Sequence, residues 1–374
     1  MGLFSIGGNS APIGLDIGTD HIRAAQFRSA SDGIQLVNYG IADVPIGAVV
    51  EGEIIDSEAT TYAIKDLWRH AGMKEKSVAI GVSNQKVVVR LIDLPYMDET
   101  ELQGAIQYQA QDYIPIPVGD AILDCHIISD YVTPNDEHMM EVLLIAAQRD
   151  MISSAVAAVE NAGLKLERID LTSFAIVRAL MGSSMAVLPD LDHDPGEAVA
   201  VVHVSSGITN IAVVESGVPR FTRISLLAGN EFTKAISNML NVTFDEAEQI
   251  KLRVGLPDIE ATGAQQAPAD ERDRVAQDAL EREVNKFIAE VRRSLDYYLT
   301  QTTQIRSIRQ LLLTGSAAQL NNFAVYLEKG LQAKVVLADP LSWIRVSPQV
   351  GGLVSSDRLG CVAAVGLGVE GFVQ

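Results

Sequence analysis

Cysteine, aromatic residues and positive charge are all scarce in this chain of 374 residues. The two cysteines, Cys125 and Cys361, stand in apolar segments without metal-ligand spacing, which excludes a disulfide scaffold and reads as reduced core residues in the cytosol. Aromatic residues make up 5% against 48% hydrophobic, so the interior is built from Val, Ile, Leu and Ala, as in α/β proteins. Lys and Arg number 29 against 48 Asp and Glu, and the net charge of −19 argues against broad nucleic-acid binding and against lying flat on an anionic membrane. Any phosphate ligand must therefore be held locally, by backbone amides and a counter-ion. No run approaches the ~20 apolar residues of a membrane span. Met1 to Ile6 has neither the basic start nor the apolar stretch of a signal peptide, and Ile6 stands where a myristoylation site wants Ser or Thr. A Gly-x-x-x-x-Gly-Lys-Ser/Thr phosphate loop is missing, and His21, His70 and His126 lack metal-ligand spacing.

What is present is a pair of similar turns. Asp16-Ile17-Gly18-Thr19-Asp20 interrupts the apolar run Ile13 to Phe27, and Ser205-Ser206-Gly207-Ile208-Thr209 interrupts Ala198 to Val214. Each reads as two strands joined by a tight, glycine-containing turn. In the first, Gly18 lets the backbone approach a ligand, the turn amides can converge on an anion, and Asp16 sits where a carboxylate can hold a metal ion through water. Two such hairpins half a chain apart point to a duplicated domain clasping a nucleotide between its halves, and the length fits two lobes.

Between the hairpins the pattern alternates strand and helix. Ile34 to Ile41 continues the sheet, Asp56 to His70 is a helix closed by Ala71-Gly72, and Ser77 to Val82 and Lys86 to Leu94 are strands. Asp98-Glu99-Thr100-Glu101 is a capping box opening a helix to about Tyr113. Strands Ala121 to Ser129 and His138 to Ala147 follow, then a helix from Arg149 to Ala162. Residues 95–163 thus read as a helix, hairpin and helix inserted into a first lobe of residues 1–190. Asp190 to Glu197 is a polar connector, and residues 191–345 form the second lobe, with 230–275 as its smaller subdomain. In that lobe Asp258 to Arg272 reads as an exposed loop, and Ala279 to Thr300 carries Val284, Phe287, Ile288, Val291, Leu295 and Tyr298 at helical spacing. Residues 346–374 return as a helix to the first lobe. The Gly366-Leu367-Gly368-Val369-Glu370-Gly371 stretch matches a dinucleotide fingerprint in letters but lies at the chain end without a strand before it, so it reads as close helix packing.

The order Asp16-Ile17-Gly18-Thr19, the second glycine turn, Ala228-Gly229-Asn230-Glu231, Asp245-Glu246-Ala247-Glu248-Gln249-Ile250-Lys251 and Leu313-Thr314-Gly315-Ser316-Ala317 resembles the superfamily of actin, heat-shock chaperones and sugar kinases. Together with Arg292 to Tyr298 and Leu94-Pro95 to Pro117, it resembles most the PilM family of type IV pilus assembly proteins, relatives of the division protein FtsA, over nearly the whole chain. The resemblance implies a two-lobed actin-like, ribonuclease H-like duplicated fold with an FtsA-type inserted subdomain, and ATP with Mg²⁺ between the lobes. It assigns the Gly18 and Thr19 amides to the phosphates and places Asp20, Arg23, Ser205, Ser206, Gly207 and Thr209 among the nucleotide-binding residues. Gly229 and Asn230 belong to the same nucleotide site, Glu248 and Lys251 to ribose and base, Gly315 and Ser316 to the adenosine, and Asp16 to Mg²⁺ through water. It further implies a cytoplasmic scaffold, peripheral to the inner membrane, that binds the N-terminal cytoplasmic tail of a PilN-type protein between the first lobe and its insertion. Other pilus proteins and self-association are possible contacts; nucleic acid is not.

The chain departs from the family pattern in three respects. His203-Val204-Ser205 replaces Asp-(apolar)-Gly at the second hairpin, Asp20 replaces a small polar residue, and Arg23 replaces a common Lys. The loss of the acid at position 203 predicts slow or absent hydrolysis, with ATP acting as a structural ligand. Two rival roles share the superfamily. An FtsA-like protein calls for a C-terminal amphipathic helix that the ending Gly368 to Gln374 does not spell, and a small-molecule kinase calls for a catalytic base and a sugar pocket that no residue pattern marks.

Overall fold

Two sheets repeat one strand order. In the computed structural model, which describes residues 4–5, 11–31, 33–182, 196–215, 217–258, 270–302 and 305–373, the first sheet runs Gly33–Asp43, His21–Ala30, Ile13–Ile17, Ser77–Val82, Lys165–Leu171. The second runs Val218–Ser225, Thr209–Glu215, Glu197–Val204, Ser307–Thr314, Lys334–Leu337. Numbered along the chain, both read 3-2-1-4-5, with the first three strands antiparallel and the last two added in parallel. This is the duplication expected from the paired hairpins, and the chain has the actin-like fold. The expected connector at 190–197 and the loop at 258–272 lie largely outside the described residues.

Each lobe closes its sheet with amphipathic helices. Helix α1 (Ser57–Ala71) starts at Asp56, whose side chain accepts from the Ala59 amide, and ends at Gly72 in the left-handed region, as the Asp56 and Ala71-Gly72 signals predict. In the second lobe, Phe232 of α5 (Gly229–Leu240), Phe287 of α7 (Glu271–Gln301) and Phe323 of α8 (Phe323–Leu331) meet at ring-centroid distances of 5.5 to 5.8 Å. The stripe from Val284 to Tyr298 is buried throughout. Helix α7 begins at Glu271 rather than at Ala279, because Asp270 caps it by accepting from the Arg272 amide and Ala276 extends the buried stripe.

The inserted unit is differently bounded from the expected 95–163. Its three-stranded antiparallel sheet is Val87–Pro95, His138–Gln148, Ala121–Val132, so the strand before residue 95 belongs to it. Helix α2 (Glu99–Gln109), opened by the expected Asp98/Glu101 capping box, packs Leu102 and Ile106 against Ile92, Leu94, Met140, Val142 and Leu144 on one face. Helix α3 (Arg149–Asn161) does not pack there. Its Met151, Ile152, Ala155 and Val159 join the first lobe's core, and Thr61 of α1 donates to the Ala158 carbonyl at 3.1 Å. The alternation that marks α3 as amphipathic is the same whichever sheet it covers, so the sequence leaves its partner open.

A third core joins the lobes. Helix α4 (Thr172–Met181) and helix α10 (Val362–Val369) lie between the sheets, packing with Ala25 and Phe27 on one side and Val201, Ala212, Val214 and Leu312 on the other. The approach is backbone to backbone. A Cβ on Gly14 would collide with the Ala364 carbonyl, one on Gly366 with the Ala175 carbonyl, and one on Gly368 would come within 2.8 Å of the Phe27 ring. Gly366 and Gly368 thus serve close helix packing rather than a dinucleotide. Gly366→Ala should lower stability by about 2–3 kcal/mol through overpacking. Gly104→Ala in α2, where a Cβ meets nothing within 4 Å, should be neutral or stabilising. Urea unfolding midpoints of the two variants check both signs.

Candidate functional site

The first hairpin turns at Gly18, whose amide donates to the His21 carbonyl at 3.0 Å. Asp16 sits on the strand opposite Arg23. Burial pushes the Asp16 carboxyl up to about 6 against the opposing pull of Arg23, so its charge is held near a threshold that a cation would lower. Arg23 is buried and already engaged. Its Nε donates to Asp357 Oδ2 at 2.6 Å and its Nη2 to Oδ1 at 3.1 Å, while the Tyr39 hydroxyl donates to Oδ2 at 2.5 Å. Its charge is therefore largely matched within the protein.

The second hairpin brings His203 opposite Asn210 and beside Thr314. His203 is 5% exposed with Nδ1 unpartnered, and burial, reinforced by Arg23, holds its pKa down to about 3, so the ring is neutral. Asn210 accepts from Ser83 Oγ at 2.6 Å across the cleft, while its buried Nδ2 has no partner. Ser205 Oγ donates to the Ile208 carbonyl at 2.8 Å and fixes the turn. The hairpin tips touch. Ser206 Oγ donates to Asp20 Oδ2 at 2.5 Å, and Gly207 packs on the Thr19 side chain so closely that a Cβ would not fit.

Asp16, Gly18, Thr19, Asp20, Arg23, Ser205 and Ser316 line one cleft between the lobes, and Ser206 and Gly207 close over it. The remaining expected residues stand apart from the lining. Thr209 is fully buried and donates to the Leu227 carbonyl at 2.7 Å, inside the second lobe. The Gly229 and Asn230 amides donate to the Ser205 and Ser206 carbonyls at 3.0 and 2.7 Å, so they brace the second hairpin. Lys251 of α6 (Phe244–Val254) is buried, 2.7 Å from Glu248, and donates to Thr233 at 2.9 Å, tying α6 to α5. Gly315, at φ 100°, presses on the Val204 backbone and sets the turn that brings Ser316 to the cleft.

Sequence reasoning did not name Ser83, Thr172, Asn210 or Asp357 as site residues. Ser83 and Thr172 follow the strands Ser77–Val82 and Lys165–Leu171, at the carboxyl ends where open α/β sheets place ligands, and that rule could have found them. Nothing local marks Asp357, which reaches Arg23 from 334 positions away.

A family model described as Type IV pilus assembly protein PilM matches residues 14–372. The chain belongs to the PilM family of type IV pilus assembly proteins. A solved PilM-PilN type IV pilus biogenesis complex superposes with a TM-score of 0.81 at 22% identity, covering 98% of this chain and all of that one. MreB 5 of Spiroplasma citri bound to AMPPNP matches at a TM-score of 0.54 and 13% identity, covering 98% of each chain. At these identities the likeness is one of fold. Among curated relatives, FtsA of Neisseria meningitidis serogroup B is 28% identical over 265 residues, and FtsA of Escherichia coli K12 is 24% identical over 367 residues. The match covers 67% of this chain and 62% of the Neisseria protein, so this chain spans under two thirds of that relative, but it covers 88% and 84% for the Escherichia protein.

Because His203 is neutral when folded and takes a proton near 6.5 when unfolded, its contribution is constant above that pH and becomes increasingly destabilising as pH falls toward about 3. The native protein should thus lose about 1.4 kcal/mol per pH unit more than His203→Gln in that window. Urea titrations of both proteins at several pH values measure the difference. Asp357→Asn, which leaves the buried Arg23 charge uncompensated, should cost about 3–5 kcal/mol in the same assay.

Proposed function

We propose that the cleft takes ATP with Mg²⁺ as a slowly turned-over structural ligand, and that the chain is a cytoplasmic scaffold of the type IV pilus inner-membrane platform. The carrying observation is the meeting of two glycine-turn hairpins over a single cleft, with Asp16 half-buried beneath the first. The residues present suit the group. Asp16 offers a carboxylate for a water shell, the turn at Thr19 would offer backbone to phosphate while the Gly18 amide stays bonded to the His21 carbonyl, and the orphaned His203 Nδ1 and Asn210 Nδ2 await polar partners. Members of this fold, such as MreB5 of Spiroplasma citri, have been solved with ADP and with AMPPNP.

Magnesium supplies charge neutralisation to the phosphates when bound. The chain's own residues do the rest. Asp16 and Asp20 are the carboxylates of the cleft lining, and Arg23 is committed to Asp357, so little positive charge faces a transition state. His203, with a pKa near 3, can orient a water but is a weak base for deprotonating it. Slow cleavage follows, and occupancy rather than turnover would set the angle between the lobes. Titration calorimetry should show ATP binding with Mg²⁺ that Asp16→Ala removes; heat that ignores Asp16 would make the hairpins structural only. Single-turnover assays should show negligible cleavage by the native protein and faster cleavage by His203→Asp, whereas brisk native cleavage overturns the reading.

The partner in this reading is the N-terminal cytoplasmic tail of a PilN-type membrane protein, seated between the first lobe and the inserted unit, which would hold the chain at the inner membrane. Support comes from the PilM-PilN complex of the same fold and from an exposed aromatic on each unit, Tyr62 of α1 in the first lobe and Tyr108 of α2 in the inserted unit, 62% and 85% exposed. Pull-down on a synthetic tail should fail with Tyr62→Arg or with residues 96–120 replaced by a short linker, while ATP binding persists. Pull-down that survives both changes places the tail elsewhere.

A further inference from the structure

The cleft contains an anion of its own. Asp20 stands at the tip of the first hairpin, where the fold reading places ligand phosphate, and its Oδ2 accepts from Ser206 Oγ at 2.5 Å across the lobe boundary. His21 Nδ1 lies 3.0 Å from the same oxygen, and the Val44 amide, donating to the Asp20 backbone carbonyl at 2.8 Å, fixes the main chain that carries the carboxylate. Gly207 is meanwhile packed against Thr19 without room for a Cβ. A phosphate chain cannot pass between tips in that contact; the hairpins must first separate, and separation breaks the Ser206–Asp20 bond.

We propose that Asp20 is the resident anion of the phosphate site: it takes the Ser206 hydroxyl that a ligand phosphate would take, latches the two hairpins together in the ligand-free protein, and lowers phosphate affinity until it is displaced. The inference rests on the nucleotide reading for what displaces Asp20, while the contact itself stands on the geometry of the two hairpins. A charge-assisted hydrogen bond between an ionised carboxylate and a hydroxyl is among the stronger single contacts available to a surface cleft. The same carboxylate then repels an incoming phosphate at short range, so one residue both closes the site and raises the threshold for opening it. The Ser83–Asn210 bond at 2.6 Å is a second crossing that closes the cleft below the latch.

Hydrogen exchange of the ligand-free protein and titration with sodium pyrophosphate plus magnesium chloride test the proposal together. Asp20→Ala should speed exchange in the segments 18–21 and 205–208 by about tenfold while leaving the sheets protected, and should tighten pyrophosphate binding by about tenfold. Ser206→Ala, which breaks the latch from the other hairpin, should give the same faster exchange without ligand, and guards against a fault of folding in the first variant. Unchanged exchange in both variants overturns the latch. Faster exchange with weaker pyrophosphate binding in Asp20→Ala overturns the resident-anion role, because Asp20 then assists the ligand. Faster exchange with no binding of pyrophosphate or ATP by either protein keeps the latch and removes the nucleotide reading.

Discussion

The two-pronged contact from Arg23 to Asp357 is the constraint on which the site depends. Arg23 leaves the first hairpin pointing into the interior, and a guanidinium there is tolerable only with a carboxylate in register and its remaining lone pairs occupied. Asp357 supplies the first and the Tyr39 hydroxyl the second. Because Asp357 precedes α10 and Tyr39 lies in the third strand, the pair fixes the hairpin, the C-terminal segment and the sheet in one arrangement. Asp16, opposite Arg23, inherits its position and its raised pKa from that arrangement.

The same segment couples the lobes. Helix α10 approaches the first sheet at Gly14 and α4 at Ala175 with no side chain between backbones, and α4 and α10 together carry apolar contacts to both sheets. A core shared this way joins the two sheets below the cleft, which the Ser206–Asp20 and Ser83–Asn210 hydrogen bonds cross. The inserted unit is tied to the second lobe through Arg220 of that lobe's edge strand, which pairs with Glu141 of the inserted sheet.

Electrostatically the cleft lining carries little unmatched positive charge. Its lining carboxylates, Asp16 and Asp20, face no free cationic side chain among the lining residues, since Arg23 is matched by Asp357, and Lys251 is spent between α5 and α6. The chain's net charge of −19 gives no long-range help. Binding of a polyanion would have to draw on backbone amides and a metal ion, which suits a ligand that holds two lobes together better than one that is rapidly consumed.

Much of the fold was legible along the chain. Glycine turns in apolar runs located both hairpins, the Asp98/Glu101 capping box located α2, and apolar spacing from Val284 to Tyr298 gave the buried face of α7. These signals are local, because turn chemistry, capping and periodicity act within a few residues. The sequence could not say that α3 packs with the first lobe's core and not on the α2 face of the inserted sheet, that Thr209 and Lys251 turn away from the cleft, or that Asp357 pairs with Arg23. An amphipathic helix or a polar side chain carries no record of its partner. Which surface buries it, and whether a carboxylate meets a guanidinium or a ligand, is decided only when distant segments pack, since desolvation and hydrogen-bond geometry exist only in the assembled interior.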